Sequence, residues 1–385
     1  MSYLVFARKY RPVNFKEVVG QQQVTKPLLN SIKRDMVGHA YLFSGPRGVG
    51  KTSIARIFSK ALNCSKPIDF EPCDKCSNCI DITKGKSLAV REIDGASNNS
   101  VDNVRDLIDS FKTLPPTGYK YKIYIIDEVH MLSTSAFNAL LKSLEEPPAN
   151  TIFILATTDP QKVIPTVISR CQRHEFRTMS SDEISISIEK ICADQKITID
   201  KISINIIARL ADGSLRDSLS ILERLVAYCD KEINSELTTE VLGLAGVDSL
   251  KEIAKAIFNN NSNDLIENIN LIFSKGVNCS TFLSEISSFF RELLFVKAST
   301  KKLAMFDEAV FIELKELTND IALVDIQDIT SLVLDATDRA IRSSNPRYFI
   351  EASLIRISQR LNVVDLLSLI NGSSLDLEKK NLKQA

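Results

Sequence analysis

The sequence carries no net charge: its 48 lysines and arginines are cancelled by 48 aspartates and glutamates. That balance excludes a global positive field gathering nucleic acid, so any DNA contact must rest on a local patch or on helix N-termini. No stretch reaches the roughly 18 to 20 apolar residues of a membrane-spanning helix, and no membrane partner is expected. The opening MSYLVFARKYRP is charged and lacks the apolar run of a secretory signal. Neither an internal repeat nor a long low-complexity linker interrupts the chain. The eight cysteines are too unevenly spread for a disulfide scaffold, with Cys64, Cys73, Cys76 and Cys79 crowded together and the rest scattered. A cytoplasmic chain with reduced thiols is the expectation.

What is present is ordinary globular material in quantity. With 385 residues, 44% of them hydrophobic and 25% charged, the chain has enough for two or three domains with buried cores. Short apolar runs at Tyr41–Phe43, Val90–Ile93, Lys122–Ile126 and Ile152–Ala156 read as strands. Between them, Val101, Val104, Leu107, Ile108 and Phe111 recur at helical spacing, as do Phe137, Leu140, Leu141 and Leu144. Buried strands alternating with helices predict an α/β fold with a parallel sheet. After about Phe176 helical periods take over, with Gly213-Ser214 as a break. Leu265, Ile269 and Ile272, then Phe282, Ile286, Phe289 and Leu293, continue the pattern to a last helix over about 347–366. The spacing predicts an α/β part at 1–176, a small helical part at 177–243, a larger one at 244–368 and a frayed tail at 369–385.

Gly45-Pro46-Arg47-Gly48-Val49-Gly50-Lys51-Thr52 matches G-x-x-x-x-G-K-[ST] between an apolar strand and a helix over 53–62. Glycines there let backbone N–H groups face phosphates. Lys51 supplies a charge to the β and γ phosphates, and Thr52 a hydroxyl to Mg²⁺. A second apolar strand ends in Asp127-Glu128-Val129-His130. Asp127 is placed to hold Mg²⁺ and Glu128 to polarise an attacking water. An exposed acidic turn would look similar in isolation; the upstream cradle argues against it. His130 is open between a structural and a reactive role.

Cys64-x8-Cys73-x2-Cys76-x2-Cys79 has the spacing of four thiolates around tetrahedral Zn²⁺, against the alternatives of unpaired thiols or a redox pair. Ala96-Ser97-Asn98-Asn99-Ser100 fits a helix N-terminus facing a DNA phosphate and equally a helix capped by Ser100.

Further segments carry a resemblance. Arg8-Lys9-Tyr10-Arg11-Pro12, Phe15 and Val18-Val19-Gly20-Gln21 are similar to the N-terminal segment of bacterial DNA polymerase III clamp-loader subunits of the gamma/tau family. Leu155-Ala156-Thr157-Thr158 resembles their first sensor, Ser169-Arg170-Cys171 their arginine signature, and Gly213-Ser214-Leu215-Arg216-Asp217 their second sensor. The cysteine insertion occurs at the corresponding place. The resemblance implies a P-loop NTPase core of the AAA+ type with a zinc-binding insertion, a helical lid and an all-α collar. It implies that Arg11 and Val19 clasp adenine, Thr158 reports the γ-phosphate, Arg216 reaches the same nucleotide, and Arg170 acts in trans on a neighbour's ATP. It also implies a hetero-pentamer with other loader subunits, opening a sliding clamp onto primer-template DNA, and a nucleoid-associated place in the cytoplasm. The chain would belong to the polymerase holoenzyme, a nucleotidyltransferase, without synthesising DNA itself. Longer forms bind polymerase and helicase; this sequence is similar to the short form.

Three other readings compete. A DExH helicase shares the literal Asp127-Glu128-Val129-His130 box but needs a second strand-rich lobe. A non-catalytic scaffold would not need Lys51, Thr52, Asp127, Glu128 and Arg216 together. In a zinc-dependent regulator, ATP would only stabilise the fold.

Overall fold

The computed structural model describes residues 4–97, 110–111, 113–229, 231–299 and 308–360. The chain divides into two compact units, 1–235 and 236–385. The expectations for Val101, Val104, Leu107, Ile108 and Asn98–Ser100, for the last helix beyond Arg360 and for the tail lie outside the described residues.

The first unit is built on five parallel strands: β1 (Ala40–Ser44), β2 (Val90–Asp94), β3 (Lys122–Asp127), β4 (Thr151–Thr157) and β5 (Gln172–Glu175), in spatial order β2-β3-β4-β1-β5. β1, β3 and β4 are buried almost throughout because both sheet faces are covered. On one face Tyr41, Phe43, Ile123, Ile125, Ile152 and Ile154 meet α2 (Gln22–Lys33) and α3 (Lys51–Asn63). The other face packs Leu42, Tyr124, Ile126, Phe153 and Leu155 against α5 (Thr134–Glu145) and α6 (Pro165–Ile168). A short α1 (Phe6–Lys9) precedes α2, and α4 (Ser77–Thr83) follows α3.

Two strands depart from the both-faces-buried expectation. β2 lies at one edge and is mostly half-buried or exposed. β5, sequence Gln-Arg-His-Glu, has no apolar run to announce it, because as the other edge it faces solvent over most of its length. Its inward residue is His174, stacked on Tyr41 at a centroid distance of 5.9 Å and edge-on to Phe43 at 5.7 Å. Burial holds the His174 imidazole below its ordinary value of 6.5. The fold thus favours the neutral ring: its contribution is complete above about pH 6.5 and is lost as pH falls toward the folded value. His174→Phe should therefore flatten the loss of stability on the acid side of about pH 6.5, read as urea midpoints across that range.

Beyond the sheet come α7 (Ser181–Gln195), α8 (Lys201–Leu210) and α9 (Leu215–Cys229). A full capping box starts α7: the Ser180 side chain accepts from the Glu183 amide and the Glu183 carboxylate from the Ser180 amide. Gly213, at φ +78°, provides the left-handed turn between α8 and α9 where the sequence places a break. Among the described residues after Glu175 the only strands are β6 (Thr198–Ile199) and β7 (Glu232–Ile233), two residues each. The strand-rich second lobe that a DExH helicase needs is not found among them.

The second unit is helical: α10 (Ser235–Leu242), most of which falls here, α11 (Val247–Phe258), α12 (Ser262–Ser274), α13 (Cys279–Ala298), α14 (Glu308–Leu317), α15 (Leu323–Ile341) and α16 (Pro346–Arg360). Its core joins Leu265, Ile269 and Ile272 of α12 with Phe282, Ile286, Phe289, Phe290 and Leu293 of α13, the periodicities read from sequence. No helix among the described residues is long and apolar enough to cross a membrane.

Candidate nucleotide and metal sites

β1 delivers the chain into the glycine loop, and Gly50, at φ +101°, turns it into α3. No side chain caps this helix, so the amides of its first turn face the groove and fit an anionic ligand. Close packing requires glycine at Gly48, where a Cβ would stand 1.9 Å from the Ser214 hydroxyl. Lys51 is 6% exposed and donates from Nζ to the carbonyls of Gly45 and Pro46, both at 2.7 Å. Burial pulls its ammonium below the ordinary lysine value, opposed by Glu128 and Asp127. An ammonium held this way, beside two carboxylates, fits a polyphosphate that brings its own negative charge.

Thr52 and Asp127, 75 residues apart in sequence, meet at 2.7 Å, Thr52 Oγ1 donating to Asp127 Oδ2. A hydroxyl and a carboxylate oxygen side by side are a hard oxygen pair of the kind that suits Mg²⁺. Glu128 follows at φ +45°, a left-handed backbone that carries its side chain away from the strand direction. One of its oxygens, Oε2, accepts from the Thr158 amide at 3.2 Å and the Thr158 hydroxyl at 2.9 Å. His130 Nδ1 lies 3.4 Å from that oxygen and 3.0 Å from Thr157 Oγ1. Thr158 thus holds Glu128 through both its amide and its hydroxyl, and His130 stands within reach of the same carboxylate.

The groove over this floor is lined by Arg47 through Ile54, Asp127 and Glu128 on one side and by Tyr10, Arg11, Pro12, Val18 and Val19 on another. Arg216 of α9 completes it, beside Leu215, Leu219 and Met179. Leu215 belongs to the segment that resembles the second sensor; Leu219 fits helix periodicity and nothing more, and Met179, in the loop before α7, carries no signal of its own. Burial, followed by the like charge of Arg56, holds the Arg11 guanidinium below its ordinary value, with Arg216 and Arg8 adding repulsion. Such crowding of cations at one groove favours an anionic occupant.

Arg170 and Thr158 are not among the lining residues. Arg170 is half-buried, its Nη2 bonded to Glu145 at 2.5 Å and Nη1 to the Thr166 carbonyl at 2.7 Å. From there it does not reach the groove of its own chain.

The four clustered cysteines come together between α3 and α4, their sulfurs all within 4.8 Å of one another. Backbone amides point at the sulfurs: Cys73 N–H to Cys64 at 3.4 Å, Cys76 N–H to Cys73 at 3.4 Å and Cys79 N–H to Cys76 at 3.5 Å. Burial raises the Cys76 thiol, but the Cys79 amide and Ser65 outweigh it and bring it down to about 6. Burial drives the Cys79 thiol the other way, far above its ordinary value. Four sulfurs this close, three of them met by backbone amides, describe a site suited to a soft tetrahedral metal such as Zn²⁺. Cys79→Ser should remove bound zinc, from about one equivalent to none by metal analysis. The same variant should lower the thermal midpoint of the first unit.

Three families match in succession: "DNA polymerase III, delta subunit" over residues 20–180, "DNA polymerase III clamp loader subunit, ATPase lid domain" over 183–231, and "DNA polymerase III subunits gamma and tau domain III" over 233–371. DNA polymerase III subunit tau of Bacillus subtilis is 39% identical over 361 residues, covering 93% of this chain and 64% of the relative. The tau subunit of Escherichia coli is 37% identical over 92% of this chain and 55% of its own length. The chain thus spans roughly half to two thirds of these two relatives. DNA polymerase III subunit gamma of Buchnera aphidicola subsp. Acyrthosiphon pisum is 34% identical and is covered over 99% of its length, with 93% of this chain aligned. With its parallel P-loop sheet, matched ATPase lid and helical third part, the chain belongs to the DNA polymerase III gamma/tau family and has an AAA+ ATPase fold.

Proposed function

We propose that the chain is the ATP-hydrolysing motor subunit of a clamp loader, binding ATP in the groove between the glycine loop, the N-terminal strip and α9. The observation that carries this reading is the convergence of Lys51, Thr52, Asp127, Glu128 and Arg216 on one groove. The loop amides and Lys51 bind and orient the phosphates, which leaves the base against Arg11 and Val19. Thr52 and Asp127 would hold Mg²⁺, which would supply charge to neutralise the phosphates. Glu128, released from Thr158, takes the proton of the attacking water. Arg216 brings positive charge from the lid onto the same nucleotide, so lid closure and turnover are linked. Phosphoryl transfer asks for little beyond positioning and charge, and these residues offer both.

Arg170, which does not line its own groove, serves a neighbouring subunit's ATP. ATP then favours an ordered ring, a hetero-pentamer with other loader subunits, that grips an open sliding clamp. Primer-template DNA, contacted through its backbone, aligns the ring for hydrolysis, which leaves the clamp closed on DNA. In this reading residues 1–176 are the motor core, with the zinc module at 64–79, 177–243 the lid and 244–368 the collar. Polymerase core and helicase would join only through a longer form.

The test is ATP turnover by the chain with loader partners and clamp, with and without primed DNA. Stimulation by clamp and primer that disappears in Arg170→Ala assembled with unaltered partners supports the loader. Turnover indifferent to clamp, primer and that substitution would leave only a P-loop ATPase.

A further inference from the structure

The base-side wall of the groove is a strip with little structure of its own. Between the end of α1 and the start of α2, residues 10–21 contain only the three-residue turn Phe15–Glu17, capped by Asn14. Yet Tyr10, Arg11, Pro12, Val18 and Val19 all line the groove. Neither a helix nor a sheet ladder fixes that wall, so other contacts must hold it in place.

Two polar contacts to the strip come from the cysteine module and its root. Glu71, only 7% exposed, accepts the Phe15 N–H through Oε2 at 2.9 Å. Lys60, on the last turn of α3 and 3% exposed, donates to the Val13 carbonyl at 2.6 Å. The same ammonium is paired with the Asp74 carboxylate. Glu71 closes a tight turn with Ile68, their backbones exchanging hydrogen bonds of 3.1 and 2.9 Å across Asp69 and Phe70, both at positive φ. That turn lies between Cys64 and Cys73, and Asp74 lies between Cys73 and Cys76. Both carboxylates thus stand within two residues of Cys73, one of the four clustered ligand candidates.

A buried carboxylate meeting an isolated backbone amide is a costly arrangement unless the pairing is kept. We propose that Glu71 and the Lys60–Asp74 pair are positioning residues through which the cysteine module holds the base-side wall of the nucleotide groove. The module then contributes to binding the base of an adenine nucleotide and not to binding its phosphates, which the glycine loop and Lys51 hold independently. This rests on reading the groove as a nucleotide site.

The experiment is calorimetric titration of the full chain with ADP and, separately, with inorganic pyrophosphate, both with Mg²⁺, alongside zinc analysis. Glu71→Ala should weaken ADP about tenfold, as loss of one buried charged hydrogen bond does. Pyrophosphate affinity and zinc content should be unchanged, and Glu71→Gln, which keeps an acceptor for the Phe15 amide, should recover most of the loss. Equal ADP affinity in Glu71→Ala and the unaltered chain overturns the proposal, as does a parallel loss of both probes. An unaltered chain that binds neither probe overturns the nucleotide reading itself, a distinct result. Should Glu71→Ala not fold, hydrogen exchange at the Phe15 amide of the unaltered chain decides: slow exchange supports the brace, and exchange as fast as an open loop removes it.

Discussion

Glu128→Gln should lower ATP turnover by about 10²- to 10⁴-fold, the range for loss of a positioned general base, while nucleotide affinity stays close to that of the unaltered chain. In the proposed mechanism Glu128 does not hold phosphates: the uncapped start of α3 and Lys51 would do that, and Thr52 and Asp127 would hold the metal. On that reading, what the substitution would remove is the acceptor for the proton of the attacking water. The amide retains shape and still accepts from Thr158, so the structure around β4 should survive. Single-turnover hydrolysis and equilibrium ADP titration together make the check. A fall in affinity matching the fall in rate would mean that Glu128 serves binding and that another group is the base.

Phe290→Ala should cost about 3–5 kcal/mol, a large share of the roughly 5–15 kcal/mol that keeps a domain folded. Phe290 is completely buried on α13, with the rings of Phe258 and Phe289 edge-on at centroid distances of 6.4 and 6.2 Å. Its carbonyl also accepts from the buried Thr330 hydroxyl of α15 at 3.3 Å, which ties the helix backbone in place and leaves little room for collapse around a cavity. Tyr348→Ala is the control: that side chain is 69% exposed, and a surface change of this kind stays within about 0.5 kcal/mol. Urea unfolding followed by circular dichroism reads both. A Phe290→Ala midpoint equal to that of Tyr348→Ala would mean that the helical unit repacks freely.

If these residues make the clamp-loader motor, its chemistry is divided by distance. The glycine loop and Lys51 act on phosphates through contacts made within a few residues of chain. The Glu128–Thr158 bond joins residues 30 apart and can be made or released as the nucleotide changes. Arg216 arrives on α9, and Arg170 does not line its own groove but is paired with Glu145. Regulation would then come from whichever of these distant groups is in place.

The sequence alone determined the local pieces. An octet such as Gly45 to Thr52 dictates its own backbone, because glycine positions and helix start lie within one turn of chain. Asp127-Glu128 could be placed because an apolar run must end where the acidic pair begins. Cys64, Cys73, Cys76 and Cys79 were readable as a group because tetrahedral ligand sets leave short, fixed spacings. The helical core around Leu265 and Phe282 followed from a 3.6-residue period that burial enforces.

Only the tertiary structure decided what depends on partners distant in sequence. β5 is an edge strand whose polar residues give no hydrophobic signal, so its place beside β1 appears only when the sheet is assembled. The apolar lining of Leu219 and Met179 was invisible because core and groove ask for the same apolar residue types. The hold of Thr158 on Glu128 and of Glu71 on Phe15 depends on the sheet register and on where the insertion folds back, and neither leaves a trace in spacing. Motifs record chemistry made by neighbours along the chain; the fold decides which of them face each other, because hydrogen bonds and buried charges are satisfied across space.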